Sequence, residues 1–122
     1  MRPSFAYIPL LTCALAVTGC ATLPPPTREL ADAQSAVARA EQADAEQHAA
    51  DALGAARAAL SQGQSALADG RQADARALAL RAAADAELAR ARSRLAVATA
   101  ERDRRRAEID ALNARVQTGG AP

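Results

Sequence analysis

The chain has 122 residues, 37 of them alanine, and its fifteen Arg and fourteen Asp and Glu residues give a formal net charge of +1. Alanine loses little entropy when a helix forms, and proline is confined to the two ends, so the composition predicts an all-α protein and excludes an all-β or α/β domain. No aromatic residue or methionine follows Tyr7, so we expect an aliphatic core without an aromatic ligand pocket.

The first nineteen residues have the pattern of a signal peptide. Arg2 precedes an apolar run over residues 5–17, which is too short to span a bilayer. The run leads into Thr-Gly-Cys at residues 18–20, and this ending resembles the lipobox of bacterial lipoproteins. The resemblance implies that residues 1–19 are removed and that Cys20 carries a thioether-linked diacylglycerol and an acylated amino group, with palmitate a typical acyl chain.

The predicted anchor also indicates a location. Several acyl chains hold a protein stably on a bilayer. In lipoproteins of double-membraned bacteria an Asp after the cysteine favours retention in the inner membrane, whereas this chain has Ala21. The resemblance therefore implies the outer membrane, facing the periplasm. The alternative is an ordinary secretory signal in which Cys20 is incidental; Cys13 lies in the removed segment and leaves Cys20 without a disulfide partner.

The remaining chain divides into three parts. Residues 20–26 end in three prolines and predict a short extended tether. Residues 27–117 contain no proline and predict a helical domain, and residues 118–122 have the composition of a flexible tail. Inside the helical domain, Asp69-Gly70 predicts a turn, because Gly at this place ends helices in a left-handed conformation.

Apolar residues recur at heptad spacing on both sides of this turn. In the first arm, residues 28–68, the predicted seam consists of Ala49, Leu53, Ala56, Leu60, Gly63 and Leu67. In the second arm, residues 72–116, the predicted seam consists of Ala73, Ala77, Leu80, Ala84, Leu88, Ala91, Leu95 and Ala98, and it resumes after Arg102 and Arg105 with Ile109, Leu112 and Val116. Two such seams predict an antiparallel helical hairpin.

The charge distribution predicts a register for the hairpin, whereas the helical phase of the first arm indicates a three-helix alternative to the hairpin. Residues 28–51 have a net charge of −4 and residues 90–106 a net charge of +5, and a hairpin sets them side by side, with Leu30 and Val37 level with residues 109–116. However, Val37 and Leu53 lie nearly half a turn out of phase, and Asp44 with Gln47 predicts a capping box. A break near residues 43–48 would give a three-helix coiled-coil-like bundle instead.

Candidate chemistry is confined to one basic cluster. Arg102, Arg104, Arg105 and Arg106 are candidates for contacting anionic lipid, peptidoglycan carboxylates or an acidic partner; the alternative is a solvated helix face. His48 is the only histidine, so we expect no metal site. The serines have no nucleophile elbow and there is no phosphate loop, so we expect neither an enzyme nor a cofactor. Residues 20–122 carry no net side-chain charge, which argues against a nucleic-acid partner.

The Ala and Leu pattern around a Gly-containing turn, over roughly residues 27–116, resembles a family of small alanine-rich bacterial envelope lipoproteins classed as domain of unknown function, number 4398. Some members continue into an OmpA-like peptidoglycan-binding domain, and the family implies no activity. We therefore expect a lipid-anchored structural or interaction protein of the envelope that self-associates or packs against an envelope protein. A binding module using Arg102 to Arg106 is the alternative. The absence of lysine excludes covalent attachment to peptidoglycan through a lysine, and non-covalent contact stays open.

Overall fold

The structure is a computed structural model and describes residues 24–119. This part consists of four helices without a strand: α1 (Thr27–Glu41), α2 (Ala45–His48), α3 (Ala50–Ala68) and α4 (Gln72–Gly119). The predicted all-α class is confirmed. The predicted signal peptide 1–19, Cys20, residues 21–23 of the predicted tether and residues 120–122 lie outside the described residues.

The helices form a three-helix bundle around the first half of α4. Glu29 near the start of α1 pairs with Arg76 at 2.7 Å, and Arg39 near its end pairs with Glu87 at 3.0 Å, so α1 runs in the same direction as α4. A tight turn joins α3 to α4, and α3 runs the opposite way. Of the two predicted arrangements, the three-helix one is adopted.

The break between α1 and α3 is located where the phase of the sequence predicts it. Asp44 has a φ of 58° and Ala49 a φ of −152°, and α2 is a single turn between them. Asp is one of the residues that tolerate the left-handed region. The predicted capping box is wrong, because the Asp44 side chain makes no cap hydrogen bond; its backbone carbonyl accepts from the amides of Gln47 and His48 instead.

The predicted turn at Asp69-Gly70 is confirmed. Gly70 has a φ of +77°, a conformation that costs little only for glycine. The amide of Arg71 donates to the carbonyl of Ala66 at 2.8 Å, and the amide of Gly70 donates to that of Leu67 at 3.0 Å. This is the Schellman pattern that closes a helix end, and it reverses the chain so that α3 and α4 pack along each other.

The core is built mainly from alanine. The first-arm seam is confirmed: Ala49, Leu53, Ala56 and Gly63 are buried, and Leu60 and Leu67 are partly buried. It packs against an inner stripe on α4, which consists of Ala75, Ala79, Ala82, Ala86, Ala89 and Ser93. Small side chains let three backbones approach closely: a Cβ on Gly63 would lie only 3.2 Å from Leu30 Cδ2.

The second-arm seam is a correction. All eight of its members from Ala73 to Ala98 are exposed, as are the three that follow Arg105. The expected register is also wrong, because Leu30 and Val37 pack against residues 79–89 of α4 rather than residues 109–116. The physical reason is the break at residues 42–49, which folds the first arm back on itself so that neither half reaches beyond about residue 93 of α4.

Ion pairs hold the bundle at its surface. Arg57 of α3 pairs with Glu41 at 2.7 Å and with Glu46 at 3.1 Å, and hydrogen bonds to the carboxylates of Glu46 and Glu41 raise the pKa of the Arg57 guanidinium. A hydrogen bond from Arg76 holds the pKa of Glu29 below its ordinary value. The Arg57 pairs are exposed and the Arg76–Glu29 pair is partly buried, so the Arg57 pairs add little to stability, and all three pairs fix the relative placement of the helices.

Candidate interaction surface

The distal half of α4 projects beyond the bundle. Ser93 is the last buried residue of the helix, and its Oγ donates a hydrogen bond to the carbonyl of Ala43 in the break. None of residues 94–119 is buried. The 23 residues from Val97 to Gly119 extend for about 34 Å at the helical rise, so this half of α4 is available for contacts outside the bundle.

An outer stripe of apolar residues follows the side of α4 that faces away from the bundle. It consists of Leu80, Ala84, Leu88, Ala91, Leu95, Ala98, Ile109, Leu112 and Val116. Leu88 follows buried Ala86 by two residues, and Leu95 follows buried Ser93 by two, a rotation of about 200° in each case. Leu95 is 69% exposed, Ile109 57% and Val116 74%. The inner stripe therefore holds the bundle, while the larger side chains of α4 face solvent.

Three of the four candidate arginines are engaged in ion pairs along α4 itself. Arg104 and Arg105 both pair with Glu101, at 2.6 and 2.9 Å, and Arg102 pairs with its neighbour Asp103 at 2.9 Å. Their side chains remain 67–72% exposed. None of them meets the acidic stretch 28–51, so the expected pairing of that stretch with this cluster is wrong. Within residues 90–106 an ion pair with it is formed by Arg92, which pairs with Asp51 at 3.0 Å.

The four arginines do not converge on a single site. Arg102 and Arg105 lie in line with the outer stripe, between Ala98 and Ile109, because the spacing of these four residues is four, three and four. Arg106 lies beside the stripe. Arg104 points to another side of α4, where it lines a shallow surface with His48 and Val97. The cluster is therefore a basic band around a projecting helix.

A groove opens where the bundle ends and α4 continues. It has a volume of about 740 Å³ and lies between the break at Gln42 to Asp44 and residues 90–105 of α4. Four arginines line it, together with Glu101, and they come from two helices: Arg39, Arg90, Arg94 and Arg105. Arg39 and Arg90 are both paired with Glu87, and these hydrogen bonds lower the pKa of Glu87.

The described residues hold no metal-binding cluster of His, Cys, Asp and Glu. His48 is exposed. Between residues 24 and 119 no helix is sufficiently long and apolar to cross a membrane.

The sequence reasoning missed two features of this surface. The inner stripe has spacings of four, three, four, three and four from Ala75 to Ser93. This periodicity is as regular as that of the predicted second-arm seam, so the sequence alone could have indicated a second candidate for the buried face of α4. The arginines of the groove, by contrast, come together because the break places Arg39 of α1 beside residues 90–105. No local sequence pattern predicts that contact.

The comparison with protein families gives one match, and it covers residues 28–116. The model that matches is described as Domain of unknown function (DUF4398). No curated protein and no solved structure matches the chain.

Proposed function

Since the chain belongs to the family described as Domain of unknown function (DUF4398), which prescribes no activity, we propose its function from its shape: it is a lipid-anchored helical structural or interaction protein of the bacterial cell envelope. Cys20 holds it to the membrane, with the outer membrane facing the periplasm as its location. The distal half of α4 carries the surface that meets a partner.

The observation that carries this proposal is the projection of α4 away from the end of the chain that would bear the anchor. Pro26 is buried, and the carbonyl of Pro24 accepts a hydrogen bond from Arg76 Nη2 at 2.6 Å. The tether is thereby fixed to the start of α4, four residues after Gln72. Because α4 continues from Arg76 to Gly119, its far end lies about 65 Å from that point. An anchored chain would present its distal half well away from the bilayer surface.

Metabolic labelling with a fatty-acid analogue in a double-membraned bacterium tests the anchor. We expect the label on the native chain and on Cys13→Ala, and its loss in Cys20→Ala. The native chain should fractionate with the outer membrane, and Cys20→Ala should be released with the periplasmic contents. Equal labelling of the Cys13 and Cys20 variants, or no labelling of the native chain, would refute the lipid anchor.

A second candidate function is favoured by the arginine-lined groove and the basic band beside it. In this function the chain binds an anionic envelope ligand, either peptidoglycan or anionic lipid, through guanidinium groups that can form paired hydrogen bonds with carboxylates and phosphates. The test is cosedimentation with purified peptidoglycan or with anionic vesicles, for the native chain and for a variant with Arg102, Arg104, Arg105 and Arg106 changed to Gln.

A matched control removes the same charge elsewhere. Arg28, Arg71, Arg81 and Arg115 are also exposed, and changing these four to Gln alters the net charge equally. If the basic band of Arg102 to Arg106 binds the ligand, the first variant should lose binding and the control should retain it. Equal loss in both variants would indicate attraction to net charge alone, and unchanged binding in both would exclude the cluster as a site.

A further inference from the structure

We propose that residues 88–116 of α4 pair with the same residues of a second copy of this chain, as a parallel, in-register, two-stranded coiled coil. The inference goes beyond the function proposed above, because it rests on the residues of α4 and not on the lipid anchor. It commits the outer stripe to one occupant and fixes the direction and register of that occupant.

The heptad pattern supplies the seam. From Leu88 to Val116 the spacing is three and four throughout, which defines about four heptads. The a positions are Leu88, Leu95, Arg102, Ile109 and Val116, and the d positions are Ala91, Ala98, Arg105 and Leu112. The apolar members are exposed in the single chain, and α1 and α3 cover the opposite side of α4. The stripe is therefore open to a second copy, and the break at residues 42–44 borders it beside Ala98 and Arg105.

The charges that flank the seam favour a parallel pair. In a parallel coiled coil a g residue faces the e residue five positions later on the other chain, and such contacts set partner choice and direction. Here Glu101 faces Arg106, and Glu87 faces Arg92. Within its own chain Glu87 also pairs with Arg39, and Arg92 with Asp51, so these two groups would share their charge with the second copy. The other two contacts, Arg94 with Thr99 and Glu108 with Asn113, join a charged residue to a neutral one. Two attractive contacts on each side, and no repulsive contact between g and e positions, result from this register.

Antiparallel pairing is less favourable with the same residues. In an antiparallel coiled coil e residues face e residues, and g residues face g residues. Both charged e residues are arginines, Arg92 and Arg106, so contacts between e positions cannot attract. The g row consists of Glu87, Arg94, Glu101, Glu108 and Arg115. One antiparallel register sets Glu87 against Arg115 and Arg94 against Glu108, but it also sets Glu101 against its own copy and Arg92 against Arg106. The register one heptad away sets Glu101 against Glu108 and Arg94 against Arg115, so both registers contain repulsive contacts at these flanking positions.

The arginines inside the seam fix its register. Arg102 occupies an a position, where polar residues specify alignment at a cost in stability. In the parallel register its guanidinium lies next to Glu101 of the other copy, at the preceding g position. Arg105 already pairs with Glu101 of its own chain at 2.9 Å. In register each of the two arginines faces its own copy, and the Glu101 carboxylates beside them offset this like-charge contact. A shift by one heptad would set the arginines against apolar layers instead, formed by Leu95, Ala98, Ile109 and Leu112.

Disulfide crosslinking of the full chain in intact cells tests the direction. Single cysteines replace Leu88, Ile109 or Val116, all at a positions, and an oxidant is added before non-reducing electrophoresis. In the parallel pair each introduced cysteine meets its own copy, so all three variants should form disulfide-linked dimers. The parent chain, without an added cysteine, accounts for any dimer formed through Cys13 or Cys20. Ala107→Cys, on the far side of the same helix segment, is the matched position control.

The outcomes separate the alternatives. Crosslinking at all three positions above the Ala107→Cys level supports the proposal. Crosslinking at only one or two of the three, or crosslinking no greater than that of Ala107→Cys at all of them, overturns the parallel in-register pair. An antiparallel pair along the stripe would set none of these three positions against its own copy. In purified protein, each added cysteine should crosslink equally in the native background and in the Cys20→Ala background. The dimer test therefore does not depend on the lipid anchor, and the two proposals can fail separately.

Charge reversal provides an independent test on the purified full chain by sedimentation equilibrium. Glu101→Arg places arginine opposite Arg106 in both symmetric contacts, and we expect it to raise the dimer dissociation constant about tenfold, equivalent to about 1.4 kcal/mol. Adding Arg106→Glu restores opposite charges and should return the constant towards the native value. A double variant as weak as, or weaker than, Glu101→Arg would refute the parallel contact.

Discussion

Replacing Leu53 with Ala should destabilise the bundle strongly, whereas the same replacement at Leu95 should not. Leu53 is 1% exposed and lies in the cluster formed by α1, α2, α3 and α4, while Leu95 is 69% exposed. Truncation of a buried leucine to alanine costs about 2 to 5 kcal/mol, because transfer free energy is lost and a cavity remains. Small domains have only about 5 to 15 kcal/mol of total stability, so Leu53→Ala removes a large part of it.

The measurement is urea unfolding of the purified full chain, followed by the helical circular dichroism signal. Leu95→Ala removes the same atoms from an exposed site and should change the unfolding free energy by less than about 0.5 kcal/mol. The comparison is made over a range of protein concentrations and extrapolated to the lowest, so that any dimer does not contribute. Equal destabilisation by the two substitutions at low concentration would mean that the outer stripe is buried in the single chain, and would refute the assignment of the two faces of α4.

Three further predictions concern backbone, charge and a buried hydroxyl. Gly54→Ala should stabilise the chain by about 1 kcal/mol through helix propensity, since no atom lies within 4 Å of the added Cβ. Gly70→Ala should destabilise the chain by about 1 to 2 kcal/mol, because Gly70 has a positive φ. Thermal unfolding measures both effects, and equal effects would contradict the turn geometry. Acid should destabilise the fold, because hydrogen bonds from arginine lower the pKa of three glutamates, Glu29, Glu46 and Glu87. Their contribution is complete above the ordinary value of 4.5 and is lost as the pH falls through the lowered values, so urea unfolding at pH 3 should show lower stability than at pH 7, and higher stability at pH 3 would be inconsistent with these pairs. Ser93→Ala removes the donor to the Ala43 carbonyl and should cost about 1 to 3 kcal/mol in chemical unfolding, whereas a cost near zero would show that this carbonyl is satisfied in another way.

Local signals predicted the places where the chain changes direction. Gly70 after Asp69 marks a helix end by its own conformational freedom, and the phase difference between Val37 and Leu53 marks the break. Both signals depend on a few neighbouring residues. The first-arm seam was also predictable, because its leucines are rare in an alanine-rich sequence and all lie on one face.

The buried face of α4 was not predictable in the same way. Alanine makes up about a third of the chain, so α4 carries two regular stripes, and the one with leucines has the stronger apolar pattern. Which stripe is buried depends on how closely α1 and α3 can approach, and this tertiary property favours the smaller side chains. The break also shortens the first arm to two stacked helices, so charge matching along the full second arm led to the wrong register. The intrahelical pairs of Arg104 and Arg105 with Glu101 follow directly from spacing, whereas the groove beside Arg39 depends on the tertiary fold.

The local stability of α4 against opening differs on the two sides of Ser93. Upstream of it, backbone amides are covered by α1 and α3, so their exchange with deuterium requires opening of the bundle. Downstream, an isolated helical segment of this length is only marginally stable in water, and its amides exchange by fraying from Gly119 inward. Protection against hydrogen exchange should therefore fall along α4 within about one helical turn of Ser93, and a partner on the outer stripe would move that boundary towards the carboxyl end without a change in the secondary structure.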